Sequence, residues 1–188
     1  FDWRLPLEVE ADRLMGLVRQ EAADAGRQNQ PVRFLAHSMG GLVVRTMIAR
    51  HNALWRDLSA HEGARFVMLG TPNGGSHAIT ELLVGQSSLF SKLAFVDTKN
   101  SQEELLRIVS RFPGILAMLP VDAAEDYFSP ATWKQYLAGE TALVAPSDED
   151  LARAREFRRL LDGSPIDPQK MVYVAGRADV TVTRMYYD

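Results

Sequence analysis

With 188 residues, 46% of them apolar and 24% charged, the chain has the material for one buried core, as one domain or a large piece of one. Its net charge of −3 provides no electrostatic footprint for nucleic acid and does not favour an anionic membrane. The absence of cysteine excludes disulfides, thiolate metal sites and cysteine nucleophiles, and it suits the cytosol. No apolar run approaches the roughly 18 residues that would span a bilayer. Phe1-Asp2-Trp3-Arg4 lacks the basic start and apolar stretch of a signal peptide and carries no initiator methionine. The chain is therefore expected to be cut from something longer.

Phe1 to Arg4 reads as the end of a strand or the loop after one. Leu5-Pro6 opens a helix with Leu7, Leu14, Leu17 and Val18 near one face, ended by Gly26 and the polar run to Pro31. Val32 to Ala36 is short, apolar and bounded by turn signals, as a buried strand should be. After Ser38, Gly40-Gly41 lead into Leu42 to Arg50, apolar nearly all round, the pattern of a central buried helix. Ala64 to Leu69 predicts a second buried strand, ended by Gly70-Thr71-Pro72-Asn73-Gly74-Gly75-Ser76.

From about 78 to 167 the pattern changes. Helical patches at Glu103 to Val109, Pro113 to Leu119 and Leu151 to Leu161 are separated by loops rich in Asp, Ser, Pro and Ala. Ser147-Asp148-Glu149-Asp150 is a capping box for the last patch, and Gly163 stops it. This region reads as a helical cap inserted over the sheet. Met171 to Ala175 is a third buried strand. Strand, helix, strand, insertion and strand point to an α/β fold with a mostly parallel sheet, whose chemistry sits at the C-terminal ends of the strands.

Ser38 is at one such end. A serine on a sharp strand-to-helix turn has its hydroxyl presented clear of the sheet while its own backbone is strained. Ala36 and Gly40, two before and two after it, are small, as the crowding of strand and helix backbones would require. The helix that follows aims its free amides and positive dipole end at the same spot, so the Met39 N–H is the expected donor to an oxyanion. The bland alternative is that Ser38 is only a helix N-cap. His37 is expected to pack or hydrogen-bond beside the site, since neighbours in such a turn point in different directions.

Ala36-His37-Ser38-Met39-Gly40-Gly41 resembles the nucleophile elbow of lipases. Gly70 to Ser76 is similar to the T-P-H-x-G-S stretch that follows the next strand in many of them, with Asn73 in place of the histidine. Phe1-Asp2-Trp3-Arg4 looks like the Y-D-W-R segment of lecithin:cholesterol acyltransferase-like proteins. The resemblance implies a three-layer α/β-hydrolase fold, incomplete in this chain, in the lipase and acyltransferase group. The activity it implies is cleavage of carboxylic esters, often of lipids, through an acyl-enzyme on Ser38. Such chemistry needs no cofactor. The expected partners are a small-molecule ester or lipid and the other domains of a longer chain, with no nucleic acid.

In this fold the triad runs Ser, then Asp or Glu, then His. Asp179, in Gly176-Arg177-Ala178-Asp179-Val180-Thr181-Val182 after the third strand, is the best acid in view; its alternative role is to cap a turn. All four histidines, His37, His51, His61 and His77, precede Asp179, so the base is expected beyond Asp188. Phe90, Leu93, Phe95, Ile108, Phe112, Ile115, Leu116, Met118 and Leu119 have the character of an acyl pocket, although cap helices need most such residues for their own core. Asp148, Glu149 and Asp150 suit a helix start better than a metal. Two rival readings stand beside ester hydrolysis: acyl transfer on the same fold, and a non-catalytic binding module of a larger protein.

Overall fold

Leu7 to Arg27 coil into α1, a 21-residue helix. Its buried stripe is Leu7, Ala11 and Val18, with Leu14 partly buried beside it, a spacing of four, three and four residues that keeps one face of a 3.6-residue helix. Leu17, expected on that face, is 63% exposed: it stands one residue, about 100° of helix, away from Val18. This arrangement comes from a computed structural model that describes residues 1–88, 90–92, 99–139 and 143–183, with the backbone alone at Arg27. The chain divides into two units, Phe1–Asn73 with Arg158–Ala178, and Gly74–Phe157 with the stretch from Asp179.

In the first unit α1 is followed by β1 (Arg33–His37), α2 (Met39–Arg50), α3 (Asn52–Ser59), β2 (Arg65–Leu69) and, after the second unit, β3 (Met171–Val174). The strands lie in the order β1-β2-β3, all parallel, with Phe34 opposite Phe66, His37 opposite Leu69 and Leu69 opposite Val174. Parallel neighbours need a crossover, which α2 and α3 supply between β1 and β2. The expected α/β class therefore holds, with three strands among the described residues.

The core of this unit gathers Ala11, Val18, Ala36, Val44, Met47, Ile48, Trp55, Phe66 and Met68, with Phe34 edge-on to Phe66. As expected, α2 is buried along almost its whole length, including Arg45 and Thr46. Two of the three strands depart from the expectation of burial. Leu35 of β1 is 74% exposed, and Val172, Tyr173 and Val174 of β3 are about half exposed. Among the described residues only β2 has a strand on both sides, and of the three strands it alone carries a fully buried aromatic, Phe66. The outer strands each have one unpaired edge among the described residues, and the three consecutive exposed residues of β3 leave side chains open on both faces.

The second unit is helical: α4 (His77–Leu83), α5 (Gln102–Val109), α6 (Pro113–Leu116), α7 (Pro130–Tyr136) and the start of α8 (Asp148–Asp162), which ends in the first unit. Ile79, Leu83, Ile115, Leu116, Leu119, Tyr127, Phe128 and Trp133 form its core, and the Trp133 indole N–H donates to the Tyr127 carbonyl at 2.8 Å. The helix starts are chemically explicit. Ser101 and Glu104 form a reciprocal capping box on α5, and the Ser147 hydroxyl accepts the Asp150 N–H on α8. The α7 helix, missing from the expected patches, is announced by Ser129-Pro130: the serine accepts the Ala131 N–H and the proline occupies the first turn. Of the apolar residues with acyl-pocket character, Ile115, Leu116 and Leu119 are core, Phe112 and Met118 pack on it, Phe90 is buried and Ile108 is exposed. Leu93 and Phe95 lie outside the described residues. Among the described residues no helix is long and apolar enough to cross a membrane.

Candidate active site

β1 ends at His37 and α2 begins at Met39, so Ser38 alone makes the turn. Its backbone has φ 52 and ψ −131. One other non-glycine residue, Asn29, has positive φ among those described, and asparagine tolerates the left-handed region. Serine does not, and Ser38 with ψ −131 lies outside even that region. Such conformations cost on the order of 1–3 kcal/mol and persist where the surroundings over-determine them. Here the Ser38 N–H donates to the Leu69 carbonyl at 2.9 Å, extending the β1–β2 pairing by one step, while its own carbonyl accepts the Gly41 N–H at 3.0 Å. The Ser38 side chain makes no capping hydrogen bond to α2. The N-cap role, the bland reading of this serine, is therefore not the one it plays.

The first four amides of a helix have no intrahelical acceptor. Ser38 and Met39, where these amides begin, share the first unit with Gly70 to Asn73, the first half of the loop that follows β2. The crowding expected at Gly40 falls instead at Gly41. A Cβ on Gly40 would meet Ala36 and the Phe1 ring at 3.9 Å, ordinary contact. A Cβ on Gly41 would fall 1.9 Å from Thr71 Oγ1. The reason is long-range: the loop after β2, not β1 itself, presses on the first turn of α2.

That loop is tied down from within the same unit. Gly70 has φ 55 and its N–H donates to the Val174 carbonyl. Asn73 Oδ1 accepts from Arg45 Nη1 at 2.9 Å, and its carbonyl accepts from Arg158 Nη1 at 2.6 Å. Arg45 Nη2 donates to the Leu161 carbonyl at 2.8 Å, in the last turn of α8, where the helix dipole is negative. Arg45 is 7% exposed, and burial, aided by the charge of Arg158, lowers its pKa from the ordinary guanidinium value. The sequence pattern of α2 carried no sign of this polar pin, because its acceptors lie at Asn73 and Leu161.

His37, expected to pack or to hydrogen-bond beside the site, is not buried. It is exposed and lines a groove of about 550 Å³, together with Phe1, Leu14, Gly40 and Val43. His51 Nε2 contacts Asp12 Oδ1 at 2.7 Å, and His61 Nδ1 accepts the Gly63 N–H at 3.2 Å. In the second unit His77 Nε2 lies 3.7 Å from Asp122 Oδ2, with its ring edge-on to Tyr127. Asp179 is exposed and belongs to the stretch grouped with the second unit. Asp148, Glu149 and Asp150 fill the first turn of α8. No group of three or more His, Asp or Glu among the described residues could hold a metal ion.

No curated protein and no solved structure matches this chain. One protein family does: the family model of lecithin:cholesterol acyltransferase matches residues 1–186, nearly the whole sequence. The chain belongs to the lecithin:cholesterol acyltransferase family, whose chemistry is acyl transfer and ester cleavage on lipids.

Proposed function

We propose that this protein is a serine ester hydrolase of the lipase and carboxylesterase type, with Ser38 as the nucleophile. The observation that carries the reading is the Ser38 backbone: a non-glycine residue at φ 52 and ψ −131 whose hydroxyl does not cap the helix it precedes. A strained serine without a structural task is what a presented nucleophile looks like. In the reaction Ser38 Oγ attacks the ester carbonyl carbon and its proton passes to an imidazole base. The carbonyl oxygen takes up the negative charge and is held by the Met39 N–H. The C–O bond to the alcohol then breaks, and the alcohol leaves with the proton. Water adds to the acyl-enzyme and releases the acid; an acceptor alcohol in place of water gives acyl transfer, which family membership equally supports. Asp179 is the acid proposed to orient the imidazole. Residues of about 78–167 serve in this reading as the cap that shields the acyl chain.

The test is labelling with a fluorophosphonate, which phosphonylates an activated serine. The full-length protein should label, Ser38→Ala should not, and Asp179→Asn should label more slowly. Labelling that survives Ser38→Ala would remove Ser38 from the mechanism.

A further inference from the structure

Thr71 stands two residues beyond Leu69, the residue whose carbonyl accepts the Ser38 N–H. It is fully buried. A Cβ on Gly41 would lie 1.9 Å from its Oγ1, 2.7 Å from its Cγ2 and 2.8 Å from its Cβ, so the first turn of α2 approaches Thr71 as only a glycine permits. Gly41 in turn donates its N–H to the Ser38 carbonyl at 3.0 Å. Ser38 is thus gripped from two sides: its N–H by Leu69 at the end of β2, and its carbonyl by a glycine wedged against Thr71 in the loop that follows. The Thr71 hydroxyl is buried and has no hydrogen-bond partner among the described residues. It gains nothing from being a hydroxyl in this position.

We infer that Thr71 is a positioning residue for Ser38, acting through Gly41 by the shape of its side chain and not by its hydroxyl. The inference rests on the reading of Ser38 as the nucleophile. The three heavy atoms of the Thr71 side chain, Cβ, Oγ1 and Cγ2, hold the Gly41 amide under the Ser38 carbonyl, and that contact keeps the serine in its strained conformation. A smaller side chain lets the turn relax, and a nucleophile displaced by even an ångström loses up to about a hundredfold in rate.

Three variants test this. Thr71→Val keeps the shape and removes the orphaned hydroxyl, so it should phosphonylate at the wild-type rate and melt at a higher temperature. Thr71→Ala should phosphonylate roughly ten- to a hundredfold more slowly, with probe affinity unchanged. Thr71→Ser, which loses only Cγ2, should fall between them and covers the case in which the alanine variant does not fold. Amide exchange is read in parallel: Thr71→Ala should speed exchange at Gly41 and leave Met47 and Ile48 unchanged. If wild-type protein never labels, the nucleophile reading fails while Gly41 exchange still reports on Thr71. A Thr71→Ala variant with wild-type labelling and wild-type Gly41 exchange would overturn the inference, and so would Thr71→Val as slow as Thr71→Ala.

Discussion

Two adjacent glycines follow the turn at Ser38, and their side-chain-free positions serve different ends. Gly40 faces ordinary contact distances, so Gly40→Ala should be tolerated and, inside a helix, should stabilise the protein by up to about 1 kcal/mol. Gly41 faces Thr71 at distances that no real Cβ shows, so Gly41→Ala forces either α2 or the loop after β2 to shift. Overpacking of that kind costs about 1–3 kcal/mol, and it should slow labelling of Ser38 as well. Urea denaturation of the two variants is the measurement; equal midpoints for Gly40→Ala and Gly41→Ala would refute the contrast. The G-x-S-x-G style of pattern is legible in the sequence as Ala36, Ser38 and Gly40. The glycine under greatest pressure is the next one, and its reason, Thr71, lies thirty residues further on.

Among the elements, α1 and α2 are joined at one end by a polar clamp. Asp12 accepts from Arg50 Nε and Nη2 and contacts His51. The Arg50 hydrogen bonds, and then that of His51, hold the Asp12 carboxyl below its ordinary value. A carboxylate depressed in the folded state contributes stability above its unfolded pKa, about 3.9. That contribution is lost as the pH falls through the lower folded value. Because the Asp12 side chain is 42% exposed, solvent screening limits it to under about 1 kcal/mol. Wild type should therefore exceed Asp12→Asn in stability at pH 7, and the gap should close below about pH 4. A gap that stays constant down to pH 2 would contradict the assignment. Helix identity itself was largely legible: the α5 and α8 starts follow from Ser-x-x-Glu and Ser-x-x-Asp spacing, which acts over four residues. The short α7 escaped because seven residues offer little periodicity, although Ser129-Pro130 signals its start.

For the molecule as a whole, the sheet joins segments of very different separation. Arg33 of β1 pairs with Arg65, a local crossover, whereas Phe66 pairs with Met171 across about a hundred residues. Contacts of long separation carry the greater loop-closure cost and tend to form late. Met171 packs, partly buried, against the first unit's core. Met171→Ala should therefore speed unfolding and leave refolding nearly unchanged, with a φ-value near zero. Val44→Ala, in the crossover helix, should instead slow refolding. Stopped-flow chevrons of both variants check this, and a φ-value near one for Met171 would reverse the order of assembly.

The sequence by itself determined the α/β class, the turn at Ser38, the central burial of α2, the capping of α8 and the resemblance that family membership bears out. The turn, the burial of α2 and the capping rest on residues within a few positions of one another, where spacing and side-chain chemistry act directly, and the fold class and the resemblance rest on the order of such local patterns along the chain. Only the tertiary structure decided that side chains of β1 and β3 are exposed, that Arg45 is buried on the Asn73 and Leu161 acceptors, and that Gly41 meets Thr71. These depend on which distant segments the parallel pairing brings together, and no local pattern encodes the distance between them. The strain at Ser38 belongs to both: the turn is written locally, but the Leu69 carbonyl and the Thr71 side chain that hold it come from the next strand and the loop beyond.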